Sequence, residues 1–125
     1  MNNTMKATAV VGLAALSLFA FAMLGRFEAR MTGSGASGKA KMESKLKRGE
    51  YQAEFEVQGE DLLADASYWV NVDGQSFLVN TNAFGSFEFH GRYGDTNHPN
   101  IEGGTPINLT NSAGDVVLSG VFQQR

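Results

Sequence analysis

The sequence predicts an all-β domain, a β-sandwich or partly open barrel of about seven antiparallel strands, preceded by an apolar N-terminal helix. Three observations predict it. Apolar and polar residues alternate with the period of a strand from Ala40 to Val57 and from Tyr68 to Phe89. Turn signals (Arg48-Gly49, Asp73-Gly74 and the glycine of Asn82–Ser86) break those runs at short intervals. The chain has no cysteine, so a core of side chains must hold the domain without disulfides.

Residues 1–25 form the first segment. Lys6 and the amino terminus precede a run from Ala7 to Leu24 that is apolar apart from Thr8, Gly12 and Ser17. Ala20-Phe21-Ala22 places small residues where a signal peptidase needs them, so a cleaved signal peptide is the preferred reading. The run is also near the minimum length for crossing a bilayer, and an uncleaved signal-anchor is the competing one. With no cysteine behind the run, a lipid-modified anchor is excluded. Residues 26–38, with Thr32-Gly-Ser-Gly-Ala-Ser-Gly38 at their heart, read as a flexible Gly/Ser linker. As a phosphate loop that stretch lacks the GK[ST] ending.

The β-domain then spans residues 39–125. With Arg48-Gly49 as the loop of a first hairpin, Leu46 faces Tyr51, Met42 faces Phe55 and Ala40 faces Val57. The opposite face sets Lys41 against Glu56, with Lys45 diagonal to Glu54, so charge and hydrophobicity agree on one register. The lysines then read as the solvated face of an outer strand, the other reading being an anionic-surface or membrane-proximal role. Residues 60–66 cross between sheets, with Leu62 and Leu63 plugging one end of the core.

Ser67 to Phe89 reads as a three-stranded meander. A type I′ turn at Asp73-Gly74 pairs Val72 with Gln75, Val70 with Phe77 and Tyr68 with Val79. A bulged three-residue loop with Gly85 in the left-handed position then pairs Val79 with Phe89 and Thr81 with Phe87, keeping both aromatics on the core face. Residues 90–105 form a long irregular segment, of the kind that often carries function. A last hairpin joins Pro106–Thr110 to Val116–Phe122 around Asn111–Asp115. Apolar residues on both of its faces leave its register open.

Charge is asymmetric. Residues 1–50 carry eight Lys/Arg against three Glu, and residues 51–125 carry two Arg against ten acids. So acidic a body repels phosphate backbones, which disfavours nucleic acid as a partner.

Thr81-Asn-Ala-Phe-Gly-Ser-Phe-Glu-Phe89 resembles the T-D-x-x-G-x-F-x-F turn of carboxypeptidase-regulatory-like and prealbumin-like sandwiches, with Asn82 in place of the aspartate. Gly38-Lys-Ala40, Tyr68–Gly74 and Val116–Phe122 together resemble short secreted bacterial β-domains of unknown function, which share G-x-A, Y-x-V-x-V-[ND]-G and V-[VI]-L-S-G-x-F. The resemblance implies a β-fold and export (periplasmic, extracellular or membrane-anchored). It implies no activity.

Candidate chemistry is sparse. No nucleophile elbow or metal motif occurs, so no catalytic residue is assigned. His90, Asp95 and His98 are the weak candidates for a metal site. No cofactor is expected. Calcium is the candidate ion for turn acids Asp61, Asp65, Asp95 and Asp115, although no D-x-[DN]-x-[DN]-G run exists. The binding candidate is the outer face of the meander. There Trp69 beside Asn71, Leu78 and Asn80 would form a platform for a sugar ring or a protein, unless another element covers the indole.

The expected function is that of a non-catalytic exported module, structural or binding, meeting a protein or glycan at the cell envelope. The membrane is expected to be touched through the N-terminal segment alone. The alternative is a subunit of a self-associating surface assembly, joined by strand edges or by the N-terminal segment. A metal-dependent enzyme ranks third.

Overall fold

The computed structural model describes residues 25–94 and 97–125. The expected N-terminal helix lies outside the described residues. Within them the chain forms β1 (Gly25–Thr32), β2 (Ser37–Lys47), β3 (Glu50–Glu60), β4 (Ser67–Val72), β5 (Gln75–Asn80), β6 (Phe87–Tyr93), β7 (Pro106–Asn111), β8 (Val116–Val121) and the short β9 (Gln123–Gln124). All belong to one antiparallel sheet in the order β5-β4-β7-β8-β1-β2-β3-β6, with β9 continuing β8 along β1. The sheet curls into a nearly closed barrel, and no helix occurs among the described residues.

The strand count exceeds the expected seven because residues 26–38 are not a linker. β1 sits between β2 and β8/β9, pairing with β2 from Gly25↔Ser44 to Thr32↔Ser37. The physical reason is legible afterwards: Phe27, Ala29 and Met31 turn inward while Arg26, Glu28 and Arg30 turn out. Only residues 33–36 of the glycine-rich stretch remain a turn. β2 is therefore internal rather than an outer strand, although Lys39, Lys41 and Lys45 do lie on its outward face.

Both expected hairpin registers are present. Leu46↔Tyr51, Met42↔Phe55 and Ala40↔Val57 pair across β2–β3, and Val72↔Gln75, Val70↔Phe77 and Tyr68↔Val79 across β4–β5. Their loops carry the positive φ of type I′ turns at Arg48 (56°) and Gly49 (80°), and at Asp73 (50°) and Gly74 (72°). The last hairpin acquires a register through a bulge: Leu109 pairs with Leu118 but Thr110 with Val116, leaving Val117 as the extra residue.

The third strand of the meander departs from expectation. β6 pairs with β3, Val57↔Phe89 and Gly59↔Phe87, and the Val79–Phe89 and Thr81–Phe87 pairs do not form. The turn itself is the expected one: Asn82 N–H donates to Ser86 O (2.9 Å), Gly85 N–H donates to Asn82 O (3.1 Å), and Gly85 has φ 77°. The strands part because the crossover 61–66 bonds to this turn instead. Leu62 N–H donates to Gly85 O and Asp65 N–H to Asn82 O, both at 3.0 Å, while Thr81 N–H donates to Ala66 O at 2.8 Å. Buried Thr81 ties the same junction, accepting from Ala66 N–H (2.8 Å) and donating to Leu63 O (2.6 Å). Leu62 packs on the core as expected, whereas Leu63 points away from it and is 74% exposed.

The interior is filled by side chains. Met31, Phe55, Val57, Val70, Ile107, Leu109, Leu118 and Phe122 are fully buried. The seam between the terminal strands β5 and β6 is closed from inside by aromatics: the Phe77 and Phe89 ring centroids are 5.1 Å apart, with Phe55 beneath at 5.8 and 6.1 Å.

Candidate functional site

The outer surface of this barrel has two unlike halves. The adjacent strands β5, β4, β7 and β8 contain no Asp, Glu, Lys, Arg or His at all. Of the other five, β1, β2, β3 and β6 carry the charges in cross-strand rows, and the short β9 holds only Gln123 and Gln124. Glu28, Lys41, Glu56 and His90 form one such row, and Arg26, Glu43, Glu54 and Arg92 the next. Lys41 reaches Glu56 at 3.9 Å and Arg92 reaches Glu54 at 3.5 Å. Half-exposed pairs like these add little stability, but they keep that half solvated.

On the uncharged half, the registers align Leu78, Trp69, Thr110 and Val116 in one row across four strands. Leu78 is 51% exposed, Trp69 41% and Val116 58%. No strand or crossover covers the indole. The two residues expected to flank it lie on the same face, Asn71 one row away and Asn80 at the strand end. Val116, Thr110 and Asn108 join them only through the β4–β7 and β7–β8 ladders. No local pattern in the sequence sets the register of the last hairpin, so none places these residues beside Trp69.

The amides around the indole are engaged with one another. Asn71 Nδ2 donates to Asn108 Oδ1 (2.9 Å) and Thr110 Oγ1 (3.0 Å), and Asn71 Oδ1 accepts from Ser76 Oγ at 2.7 Å. Asn80 Oδ1 accepts from Ser67 Oγ at 2.7 Å. Such a network makes the face rigid, and it uses up hydrogen-bonding capacity that a sugar would need.

The metal candidates do not converge. His90 lies exposed on β6, 3.6 Å from Glu56 and 3.7 Å from Glu88 on opposite sides of its ring. His98 packs its ring on Tyr51 with centroids 5.5 Å apart, near the far end of β3 and on the opposite face from Glu56. Asp95 lies outside the described residues. Asp61 and Asp65 bracket the crossover with positive φ, and Asp115 closes the β7–β8 turn by donating its N–H to Asn111 Oδ1. Among the described residues no group of three or more His, Asp or Glu is arranged to hold a metal ion.

A groove of about 560 Å³ runs along the turn end of the β5–β6 seam, lined among others by Gln58, Glu60, Asn80, Asn82 and Glu88. No protein-family model matches the chain, and neither does any curated protein sequence.

Proposed function

We propose that this protein is a non-catalytic exported β-domain that acts as a binding module at the cell envelope, and that its docking face is the Leu78–Trp69–Thr110–Val116 row. The observation that carries the reading is the complete absence of charge from the four strands presenting that row. Covering an uncharged sheet costs little desolvation, whereas covering the opposite half would bury unpaired or weakly paired ions. Tryptophan is over-represented among residues that dominate binding energy, and the part of the Trp69 side chain still open to solvent, 41%, is apolar surface whose burial favours docking. The engaged amides favour a protein surface over a glycan as the partner. Export, by signal peptide or signal-anchor, follows from the apolar run at Ala7–Leu24.

A photo-crosslinking residue at Leu78 tests this in the native cell, with one at Lys39 on the charged half as control. The expected result is a protease-sensitive adduct from position 78 alone, lost when Trp69→Ala is added. Equal labelling from both positions, or an adduct indifferent to Trp69→Ala, rejects the face.

A second reading, self-assembly through strand edges, is favoured by one observation: β5 and β6 end the sheet, each with one edge outside the ladder. It would show as concentration-dependent size that Leu78→Pro on the β5 edge abolishes.

A further inference from the structure

At one end of the barrel the chain turns at residues 33–36, 61–66, 81–86 and 112–115. Every residue of these turns is described, and none is Lys, Arg or His. They carry Asp61, Asp65 and Asp115, and the adjoining strand ends add Glu60 and Glu88. Among the described residues Glu60, Asp61 and Asp65 have no ion-pair partner, and Glu88 has only His90, at 3.7 Å. This end of the domain therefore holds a net negative charge that nothing described there balances.

Two of the turns are tied together. Leu62 N–H donates to Gly85 O and Asp65 N–H donates to Asn82 O, and these two bonds bracket Leu63 on one turn and Phe84 on the other. Leu63 is 74% exposed and Phe84 is 85% exposed, so two large apolar side chains stand in water on adjoining turns. The fold does not require them there, since Leu62 is the residue of the crossover that packs on the core. The groove of about 560 Å³ opens beside them: Asn82 and Ser86, on either side of Phe84 in its turn, line it together with Gln58, Glu60 and Glu88. It lies at the β5–β6 seam, where each strand has one edge outside the ladder.

We propose that this end of the barrel is a second docking surface, which takes an extended peptide segment carrying Arg or Lys next to apolar side chains. Charge complementarity names the occupant. Carboxylates without a base nearby draw a cation, and a guanidinium fork matches the carboxylates of Glu60 and Glu88 along the groove. The apolar side chains of the segment cover Leu63 and Phe84, and its main chain bonds to the open strand edge. An acidic segment is repelled, and a purely basic one leaves the apolar pair in water. The surface is distinct from the Leu78–Trp69–Thr110–Val116 row and does not depend on it.

The test measures fluorescence anisotropy of a rhodamine-labelled peptide, Leu-Ser-Leu-Ser-Arg-Ser-Arg, titrated with the full chain. In an extended peptide its leucines and arginines share one side. The expected result is saturable binding that Phe84→Ser, or Glu60→Gln together with Glu88→Gln, weakens by about tenfold or more. All three side chains lie at the surface, and Leu63→Ser supplies an independent second variant on the other turn. Trp69→Ala is expected to leave the affinity unchanged. Absence of saturable binding overturns the proposal, as does equal binding of Leu-Ser-Leu-Ser-Glu-Ser-Glu or of Ala-Ser-Ala-Ser-Arg-Ser-Arg. Binding indifferent to both Phe84→Ser and Leu63→Ser, or lost on Trp69→Ala, overturns it as well. The crosslinking test at Leu78 concerns the other face, so either reading can fail without the other.

Discussion

Gly59 shows how single residues shape this barrel. It is buried in β3 directly opposite Phe87, and a Cβ at that position would land on the Phe87 ring. The missing side chain lets the aromatic lie across the strand and close the core beneath the crossover. Gly59→Ala is expected to lower unfolding stability in urea by about 1–3 kcal/mol, the range for overpacking a core. Gly94→Ala, where a Cβ would meet nothing, is expected to stay within about 0.5 kcal/mol of the parent. Tyr93 makes a residue-scale prediction about pH. Partial burial raises its phenol above the ordinary value of 10.0. The folded state thus holds that proton more tightly than the unfolded chain. The stability attached to it is complete below the ordinary tyrosine range and is lost as pH rises through the raised value. Alkaline unfolding curves of Tyr93→Phe are expected to fall less steeply than those of the parent, and identical slopes would contradict this.

At the scale of elements, what could be read from the sequence divides by the range of the forces involved. The two-residue hairpins were legible because turn chemistry and side-chain alternation act over a few residues and agree: Arg48-Gly49 and Asp73-Gly74 dictated Leu46↔Tyr51 and Val70↔Phe77. The Asn82–Ser86 and Asn111–Asp115 turns are a sharper case. Each asparagine caps two backbone N–H groups through Oδ1, and each has its glycine in the left-handed region (Gly85 77°, Gly114 87°). One joins the paired strands β7 and β8, while the other joins β5 and β6, which separate. The difference lies in the distant crossover at 61–66, which local pattern does not reveal. β1 was missed for another reason, since the glycine-rich turn beside it outweighed the short Phe27–Ala29–Met31 alternation. Because Met31 is buried in a strand flanked on both sides, Met31→Ala is expected to cost about 2–5 kcal/mol in denaturant unfolding. A loss below about 0.5 kcal/mol would return residues 26–38 to a linker.

For the whole molecule, the division of charge is the feature on which the proposed function rests. The candidate platform was legible in part: Trp69, Asn71, Leu78 and Asn80 share one face because strand alternation requires it. Its extension to Thr110 and Val116, and the grouping of four uncharged strands side by side, depend on a sheet order that places β7 between β4 and β8. That order is set by closure of the barrel rather than by any local signal. The result is a domain with one half fit to stay in water and the other fit to be covered. Trp69 is the chain's one tryptophan, so its emission reports on the proposed docking face alone. Collisional quenching of the native protein by acrylamide is therefore the most direct measurement. The account predicts red-shifted emission and ready quenching, as for a half-exposed indole on an open sheet. Blue-shifted emission that acrylamide barely reaches would mean the face is already buried in the domain, and would contradict it.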